Sequence, residues 1–448
     1  MKPPYHAIPR DLFDALARGG GGPGAIGALV AAEHSKHVLL LRGVLAAAQA
    51  AGDPQARFAS SGWEVLTEVE RRDHDAAARI TRYPAVGAWA VNTLRALGTD
   101  AGPGKAAPAR LAEVAAAAAI RSGIDAEIPV LPVAGVVSLP SLGVARVGAD
   151  SAVVHSYPGG AEVRWARGRV EIPLGEHSSG ERGLGEPGDA PGWHGIRDCR
   201  GGGLEAVIED LDPFRMPAVD GLAPRLTARA ARDWQRVLQQ GWQVLAAVNP
   251  AVAAEVGQAI SVVVPLSRSV HGHLSSSSPD TFGAVAMSEP PDPDTCASTL
   301  IHEVQHVKLG AVLDIVRLTL PDDGRRYFAP WRGDPRPAAG LLQGAYAYLG
   351  VTEFWRRQRQ LAAGAALLRA DSEFALWRAG VRQAIDTLLS SERLTAAGTD
   401  FVLGMSQTAS SWTSEPVSEP ARAIALRAAR SHLDRWVQRY GPVPRPGR

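Results

Sequence analysis

Cysteine is nearly absent: 448 residues contain only Cys199 and Cys296, too few and too far apart for a disulfide scaffold. A reducing compartment is the default expectation for such a chain. An excess of either charge is missing as well, with 47 Lys and Arg against 46 Asp and Glu and a net charge of +1. That balance removes the electrostatic case for nucleic acid or an anionic membrane as a partner. No apolar run approaches the roughly 20 residues needed to span a bilayer. The opening residues, Met1 to His6, lead into a polar amphipathic segment without a secretory apolar core. The expectation is a soluble, cytoplasmic protein.

What the chain has is apolar bulk. A hydrophobic content of 46% over this length can bury large cores and divides ordinarily into two or three domains. Residues 1–125 read as helices at 11–18, 25–51, 63–74, 86–97 and 107–122, stopped by Gly19 to Pro23, by Gly52-Asp53-Pro54 and by Gly123. Residues 126–212 carry short β-branched runs separated by Pro and Gly, which predicts an antiparallel meander, with an exposed loop at 174–192. Residues 213–448 return to helical patterning, interrupted by strands at 259–266 and 282–288. The predicted class is α+β, mainly helical.

The densest chemistry stands at Thr299 to Leu309, which contains one His-Glu-x-x-His: His302, Glu303 and His306. Residues four apart share a helix face, so both imidazoles can reach one metal ion, while Glu303 sits about 100° round the helix, within reach of a water on that ion. Leu300, Val304, Val307, Ala311, Ile315 and Leu318 recur at three- and four-residue steps, and Leu309 and Leu313 continue the histidine stripe. Two apolar faces predict a buried helix. Pro290 to Pro293 cannot be helix interior, so the start is expected with Asp294 or Thr295 as cap.

Around this stretch lie weaker candidates. Phe282 to Ser288 reads as an edge strand beside the motif helix, a place where an extended peptide can add as a further strand. His271 and His273 could join a metal site from a loop, whereas His34 and His37, without an acidic partner, read as packing or capping residues. After the motif, Arg332 and Arg336 stand among Pro330, Pro335 and Pro337. Such stiffly held arginines suit a carboxylate clamp, and equally the bridging of helices.

These features resemble the His-Glu-x-x-His proteins found with ribosomally made, modified peptides, whose studied members are iron- and 2-oxoglutarate-dependent peptide β-hydroxylases. The resemblance covers nearly the whole chain and is strongest across 282–288, 300–313 and 329–355. It implies Fe(II) bound by His302 and His306, 2-oxoglutarate held by an arginine, for which Arg332 and Arg336 are the candidates, and a ribosomal precursor peptide as substrate. The chain departs from the family at one point. Both oxygenases and zinc hydrolases want a third protein ligand, and family members often carry a histidine in the helix that here spans 342–349 and has none. Tyr348 and Gln343, then Tyr346 and Glu353, are the remaining candidates, unless water, His271 or His273 completes the set. Two other readings stay open: a zinc metallopeptidase with Glu303 as general base, and a catalytically silent peptide-binding protein.

Overall fold

The computed structural model describes residues 6–99, 106–173, 189–217, 219–268 and 272–443. Among the described residues six helices come first: α1 (Arg10–Ala17), α2 (Gly22–Ala50), α3 (Ala56–Arg72), α4 (His74–Thr81), α5 (Pro84–Leu97) and α6 (Arg110–Ser122). Nine strands follow among the described residues: β1 (Ala126–Val130), β2 (Val136–Leu139), β3 (Gly143–Arg146), β4 (Ala152–Tyr157), β5 (Gly160–Trp165), β6 (Gly168–Glu171), β7 (Trp193–Gly195), β8 (Arg197–Gly201) and β9 (Leu204–Ile208). Helices α7 (Ala228–Val248) and α8 (Pro250–Ala259) lead to β10 (Val262–Leu266), β11 (Ser275–Ser276) and β12 (Ala284–Ser288). The chain then closes with α9 (Pro293–Ile315), α10 (Ala338–Leu361), α11 (Gly364–Ser390), α12 (Ala396–Ser411) and α13 (Glu419–Tyr440). The fold is α+β and mainly helical, with helices first, strands in the middle and helices last. No helix among the described residues is long and apolar enough to cross a membrane.

Four local features escape the sequence patterns. Asp73 breaks the expected helix at 63–74 and caps α4 by accepting from Ala76 N at 3.0 Å. Asn249 accepts from Val252 N, which opens α8 directly before β10. Thr395 caps α12 through Gly398 N, in a stretch of small residues with weak periodicity. Strands β7 and β8 are short and polar. The expected loop at 174–192 lies mostly outside the described residues.

The chain divides into two compact units, each assembled from separate stretches. The regions 1–125, 126–212 and 213–448 therefore describe which secondary structure dominates along the chain. One unit comprises Ala31–Gln239 and Ile260–Glu289. At its centre is α6, whose alanines are buried on all sides and which ends as expected at Gly123, in the left-handed conformation with φ 66°. Close approach explains the alanines: a Cβ on Gly62 of α3 would stand 2.7 Å from the Leu111 backbone.

Among the described residues the strands form three sheets in place of a single meander. The orders β1-β4-β5-β6 and β2-β3-β7 are wholly antiparallel. The third, β11-β12-β10-β9-β8, is mixed, with β10 parallel to both β9 and β12. This corrects the expected edge strand. β12 is bonded on both sides, because Ser275 and Ser276 return to pair with Met287 and Ala286. Every residue of β10 and β12 is buried, as interior strands of a parallel pair require. An apolar run alone does not distinguish that setting from an edge.

The other unit comprises Met1–Val30, Gln240–Ala259 and Pro290–Arg448. Here α9 packs on α8 and α10, α10 on α11, and α11 on α12 and α13. Gly350 lets α9 and α10 close up: a Cβ on it would lie 2.9 Å from Gln305 Cγ and 3.0 Å from Ile301 Cγ2. Cys296 fills the equivalent space over Gly241 of α7.

Candidate metal centre

The motif helix α9 begins with Asp292, whose carboxylate accepts from Thr295 N at 2.8 Å and Thr295 Oγ1 at 2.9 Å, with Pro293 in the first turn. The cap is thus Asp292, two residues ahead of the nearer expected candidate. Pro293 tolerates that position because the first-turn amides have no intrahelical acceptor.

The helix brings the two imidazoles together as the spacing predicts. Nε2 of His302 and Nε2 of His306 are 3.1 Å apart, and the ring centroids 4.7 Å. That separation suits two nitrogens that share one proton, and it also falls in the span of two imidazoles bonded to one ion at about 2.0–2.1 Å. Burial, and after it the neighbouring His306 ring, holds His302 well below the ordinary imidazole range, so its ring is neutral, as a ligand must be. Glu303 is buried at 1% exposure, and its Oε2 has no hydrogen-bond partner among the described residues. A carboxylate oxygen in that state is costly unless something else occupies the site.

The third-ligand candidates separate clearly. Gln343 of α10 stands behind His306, with Oε1 3.1 Å from the Nδ1 that faces away from His302. Tyr346 is fully buried and donates its hydroxyl to Leu16 O at 2.7 Å. Glu353 is taken up by Arg356 and Arg357. Tyr348 lies against His302, its ring 5.1 Å from the imidazole at a near-perpendicular angle. Burial, reinforced by the charges of Glu373 and Glu303, raises its phenol well above the ordinary range, while Arg332 works in the opposite sense. Tyr348 therefore presents a neutral hydroxyl. Among the described residues no group of three or more His, Cys, Asp or Glu is placed to hold a metal. The side chains present thus fit an ion through two nitrogen donors, with neutral oxygen at most as a third.

A wall of aromatic rings closes one side. Trp331 stacks on Tyr348 at 4.9 Å and 16°, and Trp377 lies 4.4 Å from Tyr348 with its Nε1 donating to Glu373 Oε2 at 2.6 Å. A Cβ on Gly344 would meet Trp331 Nε1 at 2.2 Å, so glycine is what admits the indole against α10. Sequence reasoning passed over Trp331, Trp377 and Glu373. The small residues of α10 at Gly340, Gly344 and Gly350 were the available signal of close approach.

Trp331 belongs to the proline-rich loop, which Tyr327 and Arg336 close by reciprocal backbone hydrogen bonds of 2.8 and 2.9 Å. Both arginines of the expected clamp grip one carboxylate of their own loop: Arg332 Nε donates to Asp334 Oδ1 at 2.8 Å and Arg336 Nη1 to Oδ2 at 3.1 Å. The pair is able to hold a carboxylate from two sides, and in this arrangement Asp334 supplies it.

Three of the four other candidate histidines have partners of their own. His34 Nε2 lies 2.9 Å from Thr81 Oγ1 and His37 Nδ1 2.8 Å from Thr81 O, with His37 pressed against Gly87 and held down to about 4 by burial. They tie α2 to α4. His273 contacts Ser288 Oγ at 3.1 Å, and His271 lies outside the described residues. A surface hollow of about 720 Å³ between α3, β1, β4 and β5 is lined by Arg57, Phe58, Glu127, Arg164 and Trp165. It belongs to the unit that lacks the motif and holds no metal-ligating group beyond Glu127. The chemistry therefore points to the histidine pair in preference to that hollow.

Comparison with known protein families and with curated proteins gives no match to this chain.

Proposed function

We propose that the chain is an Fe(II)- and 2-oxoglutarate-dependent oxygenase that hydroxylates a side-chain β-carbon in a ribosomally made peptide, working in the cytoplasm. The convergence of the His302 and His306 Nε2 atoms at 3.1 Å is the observation that carries the metal half of this reading. The cosubstrate and the peptide come from the family resemblance. Bound iron would supply oxidation by O₂ coupled to decarboxylation of 2-oxoglutarate. The chain's own contribution is positional. His302 and His306 hold the ion, Trp331, Tyr348 and Trp377 shield one side from water, and the Arg332/Arg336 pair takes the distal carboxylate of 2-oxoglutarate in place of Asp334. Anaerobic addition of Fe(II) and then 2-oxoglutarate should produce a weak visible charge-transfer band. A wild-type protein that binds iron but never develops the band removes the oxygenase reading.

The arginine pair gives a graded test. Lysine keeps the charge and loses the planar fork, and a hydrogen bond to a charged group contributes about 1.5–3 kcal/mol. At least one of Arg332→Lys and Arg336→Lys is expected to weaken 2-oxoglutarate binding about tenfold or more, with iron binding intact. Asp334→Asn is expected to strengthen it, since the competing carboxylate is neutralised. Calorimetric titration of the three variants decides the matter, and unchanged affinities throughout would reduce the pair to a loop brace.

One observation favours zinc peptidase chemistry instead: Oε2 of Glu303 is buried and has no hydrogen-bond partner among the described residues, which suits a general base held for a metal-bound water. Glu303→Gln separates the two. An oxygenase should keep its cosubstrate band and lose activity only in part, whereas a peptidase should keep zinc and lose cleavage. Peptide cleavage by the wild type that vanishes in Glu303→Gln would transfer the assignment.

A further inference from the structure

We infer that Gln343 is a positioning residue: its side-chain carbonyl fixes His306 as the Nδ1–H tautomer and so turns a bare Nε2 toward His302. The inference rests on the metal reading above for its consequence, though its geometry stands without it.

A neutral imidazole carries one N–H and one lone pair. Gln343 Oε1 lies 3.1 Å from His306 Nδ1, and an amide oxygen only accepts. The ring nitrogen facing it must therefore bear the proton, which leaves the lone pair on Nε2. That Nε2 faces His302 Nε2 at 3.1 Å, where two lone pairs would repel. Without a cation between them, His302 carries its own proton on Nε2 and donates it to His306. The pair is unequal as a result. His306 is preset as a ligand, while His302 reaches the same state only by moving its proton to Nδ1.

The opposite tautomer of His306 would aim an N–H at the point where an ion must sit, and would disable the half of the site that is ready. Gln343 thus governs metal affinity without touching metal. Its place is fixed by α10, where the neighbouring Gly344 lets Trp331 close over the helix and Gly350 brings α10 against α9. A leucine at 343 would fill similar volume and leave the ring free to take either tautomer. A glutamate would keep the acceptor and strengthen it.

The test uses the full chain labelled with ¹⁵N-histidine and free of metal, with the two rings assigned through His302→Gln and His306→Gln. Long-range ¹H–¹⁵N correlation should show His306 as Nδ1–H in the wild type and in Gln343→Glu, and a mixture in Gln343→Leu. Titration with Zn²⁺ or Fe²⁺ alone should then give about 10- to 100-fold weaker binding for Gln343→Leu, with Gln343→Glu restored to wild-type affinity or better. Rescue by glutamate, together with unchanged melting temperatures, separates this from a packing defect. A wild-type His306 found as Nε2–H, or a Gln343→Leu protein with unaltered tautomer and affinity, overturns the inference. A wild type that shows the expected tautomer and takes up no metal instead overturns the metal reading and leaves the orienting role of Gln343 in place.

Discussion

His302→Ala and His306→Ala are each expected to lose stoichiometric metal while the chain stays folded. Two imidazoles from one helix are the nitrogen donors that the described residues bring together. Removing either leaves a single nitrogen, so affinity should fall by more than the about 10- to 100-fold that loss of an outer hydrogen-bond partner costs. Folding should survive because both rings are only half-buried and turn their Nε2 atoms toward each other. The apolar faces of α9, through Leu300, Val304, Val307 and Ala311, carry the packing. Metal content after dialysis, compared with the thermal unfolding midpoint, distinguishes site loss from unfolding. Retention of a full equivalent of metal by both variants would place any metal site elsewhere in the chain.

The histidine pair was legible because helical periodicity alone puts residues 302 and 306 on one face, and the apolar steps on either side required a helix there. The class of the fold was legible for the same reason: long periodic runs such as those of α2, α9 and α10 leave little choice. What the sequence hid depends on contacts between distant residues. Gln343 gives no sign in the chain of which ring it will meet, 37 positions away. Asp334 stands visibly between Arg332 and Arg336, yet only the turn of the loop shows that its two oxygens are shared between them.

The strand order was hidden by a different cause. β10 and β12 are uniformly apolar, and a uniformly apolar run says that both faces are covered without saying which strands lie alongside. The two serines of β11 that cover the flank of β12 carry no strand propensity of their own. Short capped helices such as α4 and α8 were missed where the capping residue, Asp73 or Asn249, also reads as a turn former.

Lys308→Met is expected to destabilise the unit that carries the motif by about 3–5 kcal/mol, the cost of leaving one member of a buried ion pair alone. In sequence Lys308 is an ordinary polar residue after the motif. In the fold it is 1% exposed, with Nζ donating to Glu255 Oε2 at 2.7 Å and to Gly19 O at 3.0 Å. Glu255 Oε1 in turn accepts from Gly22 N at 2.8 Å, and Gln305 Nε2 donates to the same Gly19 O at 3.0 Å. The glycine turn between α1 and α2 is thereby stitched to α8 and α9. Methionine preserves the length and removes the charge, so the Glu255 carboxylate stays buried with only Gly22 N to satisfy it. Glu255→Gln in the same chain removes that orphaned charge and keeps the hydrogen bond to Gly22 N, so the double variant should recover more than half of the loss. Lys308 lies two residues beyond His306, about 200° round the helix, so the folded fraction of Lys308→Met should bind metal as the wild type does. Urea unfolding followed through amide exchange in α9 measures the first effect and metal titration the second. Wild-type urea resistance in Lys308→Met would show that the ion pair contributes nothing net to the fold, and a double variant no better than the single would show that the unpaired carboxylate is not the source of the loss.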